Sequence, residues 1–357
     1  MATRGSLSNS RGRRVRRSAA VISQRMSVPI AWVITIAIFG ALRPDSFLTV
    51  STFSSILGSD AVLVFVTLGL LLTLRSGDYD LSVAAVLTLS AMVVTLLNVQ
   101  DHVPIGLCIV VAGAMGMTVG LVNGCISVFL EIDSFIVTLG VGTFVSGVVL
   151  WISNDSTFSG VSSHLVNLVV GDTFLSVPLE FYYALALCLI LWYIFEYTGT
   201  GRRHLFVGKG LEVARLSGIP VSRVRVWSFV LTGLVSAFAG VLYAGTAGGA
   251  DPSSGLTYLL PAFAAAFLGS TTILPGQFNP VGAFVSAYFL VTGITGLEIL
   301  GVQNYVTDLF YGGALVLAVA ATQVIRRGMV GTVRWKAGRG SSTVASADHV
   351  AAESQVE

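Results

Sequence analysis

Charged residues are scarce in this chain of 357 residues, and their scarcity excludes most classes of soluble protein. Asp, Glu, Lys and Arg make up 11% of the sequence, whereas a soluble domain normally has about a quarter. Hydrophobic residues account for 54%, and the mean hydropathy is +0.84. Because so few charges could not cover a water-exposed surface, the composition predicts an integral membrane protein. The 39 glycines suit closely packed transmembrane helices.

The motifs of several chemistries are also absent from the sequence. The three cysteines lie in apolar runs without metal-ligand spacing, and the four histidines form no HxxxH or HExxH pattern. There is no GxxxxGK[ST] loop for ATP, since the run 208–210 has neither the spacing nor the following Ser or Thr. No Ser/His/Asp arrangement stands out. We therefore expect no enzyme activity, no metal and no cofactor bound by this chain.

Ten apolar segments are each close to the length of about 20 residues that a membrane span needs. Their approximate limits are 27–43, 55–74, 81–99, 104–130, 135–152, 178–197, 226–247, 257–274, 279–298 and 304–325. The fourth is long and rich in glycine, which predicts a tilted or broken helix. Only residues 275–278 separate the eighth from the ninth, which predicts a tight helical hairpin. The expected fold class is therefore an all-α membrane protein with about ten transmembrane helices.

The distribution of basic residues predicts the orientation of these spans. With the N-terminus inside, ten spans place residues 1–25, 198–225 and the tail after 325 in the cytosol. These segments contain seven, six and five basic residues, which is eighteen of the twenty. Nine or eleven spans would break this pattern. We expect a basic cytosolic tail at 1–26, a membrane domain at 27–325 and a cytosolic, disordered tail at 326–357.

The polar segment 198–225 is the largest internal loop predicted to face the cytosol. Within it, Glu212 stands three residues before Arg215 in a short helical pattern with apolar neighbours. Gly218 follows at a C-cap position and Pro220 comes just beyond, the usual stop signal for a helix. A short, capped helix in this position is a candidate contact for a cytosolic partner, although topology alone also explains the basic residues.

Several polar residues lie within or beside the predicted spans, where they cap helices, join helices or line a pathway. Asp78 and Asp80 precede the third span, so their carboxylates either cap its helix or take part in transport. The amide of Asn123 lies in the middle of a predicted span, where it needs a hydrogen-bond partner or water. The same holds for the hydroxyls of Thr138 and Thr143, which lie on a glycine-rich face. The candidate pathway residues are Asp80, Asn123, Thr138, Thr143 and Asn279. Because the spans are nearly free of charge, the pathway suits a neutral, polar solute better than an ion.

The longest segment predicted to face outward covers residues 153–177. Its spacing is compatible with a short interfacial helix as well as with a plain loop. In the functional interpretation it forms a rim that receives a soluble partner.

Four segments together resemble the inner-membrane permeases of ribose-type ABC importers, which carry monosaccharides and related solutes. They are the runs GDYDLSV at 77–83, GLVNG at 120–124 with FIVTLG at 135–140, EVARLSGI at 212–219, and FLGSTT at 267–272 with the glycines up to 282. The resemblance extends from about residue 76 to 320. Asp78 and Tyr79 stand where Gly and Ile are more usual in the family, and the turn 274–280 also departs from the pattern, so ribose itself is not implied.

The resemblance implies an importer in which this chain forms the pathway and other subunits supply the energy. Two permease subunits, identical or different, lie in the membrane lipid, two ATPase subunits bind ATP on the cytosolic face, and a periplasmic or extracellular binding protein delivers the solute. No nucleic acid is involved, and the location is the bacterial inner (plasma) membrane. The implied ATPase-coupling residues are Gly208, Glu212, Ala214, Arg215, Ser217 and Gly218.

Other functions remain open at this stage. A related permease for an amino acid, a vitamin or a metal chelate would share the same architecture. A stand-alone facilitator or channel would need no ATPase. A membrane enzyme is disfavoured by the lack of any catalytic arrangement.

Overall fold

The computed structural model describes residues 25–58, 60–171, 173–303 and 305–324, and these residues are mostly α-helical. The two predicted tails, 1–26 and 326–357, lie almost wholly outside the described residues. Two pairs of two-residue strands are the β-structure of the described part.

The apolar helices follow the ten predicted segments along the chain. In order the helices are α1 (Ser27–Leu42), α2 (Pro44–Phe47), α3 (Val50–Gly58), α4 (Ala61–Ser76), α5 (Val83–Val99), α6 (Ile105–Phe129), α7 (Ser134–Ser153), α8 (Ser163–Val166), α9 (Leu179–Tyr197), α10 (Gly199–Lys209), α11 (Leu211–Leu216), α12 (Val221–Ala247), α13 (Leu256–Gly269), α14 (Pro280–Ile299) and α15 (Tyr305–Val324).

Seven helical segments among the described residues are long and apolar enough to cross a membrane, if α3 and α4 count together over Val50–Ser76. The apolar helices α1, α5 and α13 are shorter, with 16, 17 and 14 residues. The long glycine-containing helix α6 is continuous over 25 residues and is not broken. Helices α13 and α14 do pack as a pair, but the turn between them covers residues 270–279 and is longer than predicted.

Helices α4 and α12 form the centre of the bundle. Every residue of α4 is buried, and α12 packs against α4, α5 and α6. A helix that is apolar all round is expected in the middle of a membrane protein, because no face of it meets water. By contrast, only 28% of the most apolar stretch of each of α6, α7 and α9 is buried within the chain, and the corresponding share of α15 is 11%. These outer helices offer their apolar faces to lipid or to another subunit.

Glycine allows α6 and α12 to approach each other at backbone distance. A Cβ atom added at Gly116 or Gly120 of α6 would overlap backbone atoms of Gly233 and Phe229 in α12, and one added at Gly233 would overlap α6 in return. Small residues at the contact allow this close approach, which van der Waals packing between membrane helices favours.

The connecting segments gather at two opposite ends of the bundle. At one end β1 (Phe158–Ser159) pairs antiparallel with β4 (Gly249–Ala250), with Phe158 opposite Ala250. At the same end α8 and a π-helical turn at Asn167–Gly171 form a short helical segment, and β2 (Thr173–Phe174) pairs with β3 (Val177–Pro178). The predicted outward segment thus contains a short helix within a longer loop.

The other end carries α10 and α11, together with the turns at 77–82, 130–133 and 270–279. We call it the α11 end. Its turns are joined by hydrogen bonds, such as those from Arg75 to the Phe278 carbonyl and from Thr272 to the Arg25 carbonyl.

Gly120→Ala should destabilise the protein, because its methyl group would overlap the backbone of α12 and force the helices apart. We expect a loss of about 1–3 kcal/mol, measured as a lower thermal unfolding temperature in detergent. Gly140→Ala is the matched control, since a Cβ there meets no atom within 4 Å and alanine favours the helix. Equal stability of the two variants would contradict the packing described for α6 and α12.

Candidate functional site

Helix α11 projects from the α11 end on a small anchor. Ala214 is buried in a cluster with Val207, Val221 and Val224, and this cluster is separate from the main core. The other apolar side chains of α11, Leu211, Val213 and Leu216, are exposed, and Leu216 is 88% exposed. A six-residue helix with exposed apolar side chains beside polar ones has the composition of a docking surface.

The C-terminus of α11 is a complete Schellman motif, which confirms the stop signal seen in the sequence. The Gly218 amide donates to the Arg215 carbonyl (2.9 Å), and the Ile219 amide donates to the Ala214 carbonyl (3.1 Å). Gly218 has φ +75°, a left-handed conformation that glycine adopts without strain. The cap therefore sets the direction in which the chain leaves α11 and enters α12.

Helix α10 also lies at this end of the bundle, in a segment that was predicted to be part of a loop. Gly201 and Gly208 lie in backbone contact with α9 and with the end of α4. His204 is buried and lies 3.3 Å from the Ser228 hydroxyl of α12. The buried residues of α10 are Gly201, His204 and Val207, so hydropathy does not reveal this face. The signal available was Thr198, whose hydroxyl accepts the Gly201 amide as an N-cap.

The environment of His204 keeps its ring neutral. The pKa of this imidazole is lowered to about 4, mainly by burial and also by the positive charge of Arg75, although a hydrogen bond from the ring to the Leu72 backbone acts in the opposite direction. At neutral pH His204 therefore fills space between α10, α9 and α12 and carries no charge.

The turn at 77–82 brings together three of the five candidate pathway residues. Asp80 Oδ1 accepts hydrogen bonds from the Ser82 amide (3.0 Å) and hydroxyl (2.6 Å), and Asn123 Nδ2 donates to that hydroxyl (2.8 Å). Thr138 Oγ1 accepts the Leu81 amide at 3.0 Å. We call Asp80, Ser82, Asn123 and Thr138 the turn cluster. It joins the turn to α6 and α7, and its members are buried.

Two groups of the turn cluster retain unused hydrogen-bonding capacity. Asn123 Oδ1 is buried and has no partner among the described residues. Burial raises the pKa of the Asp80 carboxyl to about 6, the Ser82 hydrogen bonds lower it, and Asp78 raises it. Asp80 accepts from the residue that precedes α5, which agrees with the capping interpretation, but its burial and weak acidity also suit a polar lining.

Asp78 instead forms an ion pair with Arg225 near the start of α12. Arg225 Nε donates to Asp78 Oδ2 at 2.8 Å, and a second guanidinium nitrogen donates to Oδ1 at 2.6 Å. The two side chains are 5% and 15% exposed. Such bidentate pairs are strong and directional. The pair connects the 77–82 turn to the helix that follows α11, a connection that no local sequence signal predicts.

Arg75 ties a further set of elements together at the α11 end. Its guanidinium donates to the carbonyls of Phe278 (3.0 Å) and Phe195 (3.3 Å) and lies 4.4 Å from the centre of the Phe195 ring. Glu196 is 3.8 Å away. Arg75 thus links α4, α9 and the 270–279 turn.

The remaining candidate residues lie apart from the turn cluster. Thr143 is exposed on α7 and donates to the Leu139 carbonyl within its own helix. Asn279 is buried as the N-cap of α14, where it accepts the Gly282 amide at 2.7 Å and donates to the Gly269 carbonyl. Of the predicted coupling residues, Ala214 is buried; those exposed are Gly208, Glu212, Arg215, Ser217 and Gly218.

A cleft of about 650 Å³ lies between α11 and the first residues of the 77–82 turn. It opens at the α11 end, and its walls combine acidic, basic and hydroxyl groups, among them Tyr79, Asp133, Lys209, Glu212, Arg215 and Arg225. Among the described residues, no group of three or more His, Cys, Asp or Glu side chains is arranged to hold a metal. The cleft is therefore a polar opening beside a projecting helix.

Comparison with known families decides what kind of protein carries this arrangement. Residues 52–319 match the family described as the permease component of branched-chain amino acid transport systems. The chain belongs to this family. This permease is a transport subunit of the ABC importer class and not an enzyme, and ATP hydrolysis is performed by a partner subunit.

Curated relatives cover most of the permease. The D-allose transport system permease protein of Escherichia coli K12 is 30% identical over 82% of this chain and 90% of its own length. The ribose import permease protein of the same strain is 29% identical over 86% and 96%. The autoinducer 2 import system permease protein of Salmonella paratyphi A is 27% identical over 82% and 89%. No solved structure matches this chain.

We expect the Asp78–Arg225 pair to show strong coupling in a double-mutant cycle on the stability of the purified permease. Asp78→Asn and Arg225→Gln each remove one charge of the pair and leave the other, mostly buried charge without its counter-ion. Each substitution should therefore lower the free energy of unfolding by about 3–5 kcal/mol. The double variant should cost clearly less than the sum.

Arg223→Gln is the control for this cycle, because Arg223 is exposed on the same helix, and we expect its stability to be unchanged. Additive losses in the cycle would mean that the ion pair does not hold the turn to α12.

Proposed function

We propose that this permease carries a monosaccharide or a related small polar solute across the bacterial inner membrane into the cell. The names of its curated relatives refer to D-allose, ribose and autoinducer 2. The family description names branched-chain amino acids, but it covers the wider family, so the relatives are the better guide to the solute. The near absence of charge in the spans also favours a neutral solute.

The observation that carries the coupling proposal is the form of α11. The helix is short, capped and anchored by Ala214, and it exposes Leu211, Val213 and Leu216 beside its charged residues. A groove on a partner ATPase would bury Leu211, Val213 and Leu216, while Glu212 and Arg215 would fix the orientation through charge. Because the sequence has no ATP-binding loop, a partner ATPase must drive transport, and this surface is where its conformational change would be transmitted to the permease.

The ion pair and the turn cluster supply a physical route from that surface into the membrane. A shift of α11 moves the start of α12 through the Schellman cap, and Arg225 carries the motion to Asp78. The turn at 77–82 follows because it is bonded to Arg225, and with it move its contacts on α6 and α7. We infer that the turn cluster lies at the cytosolic end of the pathway.

Ten spans with both termini in the cytosol form the topology that we propose. The α11 end then faces the cytosol with eighteen of the twenty basic residues in its loops and tails. The β1–β4 pair and the loop at 153–177 face outward, where a binding protein would dock. A second permease subunit completes the pathway, and the exposed apolar outer helices leave a large area for it.

Purification of the permease with its ATPase and binding-protein partners tests the proposed function. In proteoliposomes we expect ATP-dependent uptake of at least one radiolabelled solute from a panel of D-allose, D-ribose and autoinducer 2. Uptake should require the binding protein. Sugar movement down its gradient by the permease alone would favour a facilitator, and uptake confined to branched-chain amino acids would overturn the sugar proposal.

Substitutions at the α11 cap should separate coupling from folding. Gly218→Trp places a bulky residue at a left-handed position, and Arg215→Glu reverses a charge beside it. We expect both to reduce ATP-driven uptake roughly tenfold or more, equivalent to about 1.4 kcal/mol, with normal amounts of permease in the membrane.

Gly218→Asn is the matched control for the cap, since asparagine tolerates the left-handed conformation and should retain most of the uptake. Copurification of the ATPase with each variant measures docking directly. Normal uptake and normal ATPase binding in both Gly218→Trp and Arg215→Glu would refute the coupling role of α11.

A further inference from the structure

The α11 end contains a second cavity, which has a volume of about 500 Å³. It is bounded by α4, α10, α13, α15 and the turn between α13 and α14. The polar residues of its lining include Arg75, Lys209, Gln277 and Thr322. The coupling route proposed above runs through α11 and the turn cluster and leaves this cavity without a role.

Contacts between its walls give this cavity a defined shape. Arg75 of α4 donates to the Phe278 carbonyl, which belongs to the turn between α13 and α14 (3.0 Å). The hydroxyls of Ser270 in that turn and Thr322 in α15 are 3.0 Å apart. Gly208 of α10 packs directly against the Arg75 carbonyl. The elements that carry the polar groups are therefore held together before any ligand binds.

The charges that line the cavity are mainly positive. Arg75 and Lys209 both line it, and Asp78 is the one acid among the described residues of the lining. Asp78 is already paired with Arg225 through two hydrogen bonds, so it does not neutralise the other two cations. Glu196 lies 3.8 Å from Arg75, but its side chain is 32% exposed and offsets that charge only in part. The cavity therefore favours an anion.

Arg75 has hydrogen-bonding capacity left for such an anion. Its side chain is 3% exposed, and its two terminal nitrogens donate to the carbonyls of Phe278 and Phe195. Its Nε is buried and has no hydrogen-bond partner among the described residues. A buried donor without an acceptor costs free energy, and the guanidinium group matches the geometry of a phosphate. An oxygen of a bound phosphate would supply the missing acceptor.

The surroundings of the cavity favour a lipid as the source of the phosphate. One wall is α15, of whose apolar stretch only 11% is buried within the chain. The apolar residues Leu205, Phe267 and Val319 complete the lining beside the polar groups. A lipid whose headgroup lay in the cavity would place its acyl chains along α15. Basic cavities between transmembrane helices on the cytosolic side are typical sites for anionic headgroups.

We propose that this cavity binds the phosphate group of an anionic phospholipid, such as phosphatidylglycerol, from the cytosolic leaflet. Arg75 and Lys209 donate to the phosphate oxygens, and the acyl chains lie along α15. The bound phosphate bridges α4 and α10 and so steadies the end of the bundle that carries α11. This inference rests on the cytosolic orientation of the α11 end, which is part of the proposed function.

Thermal unfolding of the purified full-length permease in a neutral detergent tests the site without the partner subunits. The protein is titrated with dioleoyl phosphatidylglycerol, with dioleoyl phosphatidylcholine or with inorganic phosphate. A ligand that binds the folded state raises the unfolding temperature. We expect phosphatidylglycerol to raise it clearly more than phosphatidylcholine, which has the same acyl chains and no net charge. Inorganic phosphate at the same concentration should have little effect, because it lacks the chains that contact α15.

Two substitutions change the charge of the cavity and leave the contacts between its walls in place. Lys209→Gln removes a cation, and Gln277→Glu adds an anion in a side chain of the same size. Each should raise the phosphatidylglycerol concentration for half of the maximal effect at least about fivefold, because a charge-assisted hydrogen bond to the phosphate is lost or opposed. Arg203→Gln is the matched control, since Arg203 is exposed on α10 and lies outside the lining. It should respond as wild type.

The outcomes separate the lipid site from the proposed function. Equal effects of the two lipids on wild type, or a wild-type response in either cavity variant, would overturn the inference. An effect of inorganic phosphate as large as that of phosphatidylglycerol would assign the cavity to a soluble anion and overturn its assignment to a lipid. The measurement uses no sugar, ATPase or binding protein. Failure of sugar uptake therefore leaves a charge-dependent lipid response standing, and failure of the lipid response leaves the transport function standing.

Discussion

The ion pair between Asp78 and Arg225 is the interaction on which the α11 end depends. It connects a turn between two buried helices to the helix that leaves the projecting α11. Around it, Arg75 joins α4, α9 and the 270–279 turn, and the turn cluster joins α6 and α7. These polar contacts are directional and largely buried. The helices at this end are therefore linked by hydrogen bonds and charge, whereas apolar packing dominates the core.

Much of the helical framework could be predicted from the sequence, because hydropathy and helix caps are local signals. The apolar helices overlap the predicted segments, with ends that differ by up to about five residues, and the stop at Gly218 is present as a Schellman motif. Helix α10 was not predicted because only one of its three buried residues, Val207, is apolar, and the other two are Gly201 and His204. Its close contacts depend on the position of α4 and α9, which no local pattern contains.

The grouping of site residues was beyond prediction for a different reason. Ser82 and Asn123 are separated by 41 residues, and Leu81 and Thr138 by 57, so only the folded bundle brings them together. The sequence named Asp80, Asn123 and Thr138 separately, each for its polarity within or beside a span. It could not distinguish them from Thr143, which has the same chemistry on an exposed face.

The small size of α11 has a consequence for how a partner recognises it. Six residues are too few to form a stable helix in water, because helix nucleation is unfavourable. The helical shape is maintained by the cap at Gly218 and by the anchor of Ala214 against α10 and α12. A binding partner thus meets a preorganised surface and loses little conformational entropy in ordering it. Recognition is a property of the folded membrane domain, and the segment cut out as a peptide would not carry it.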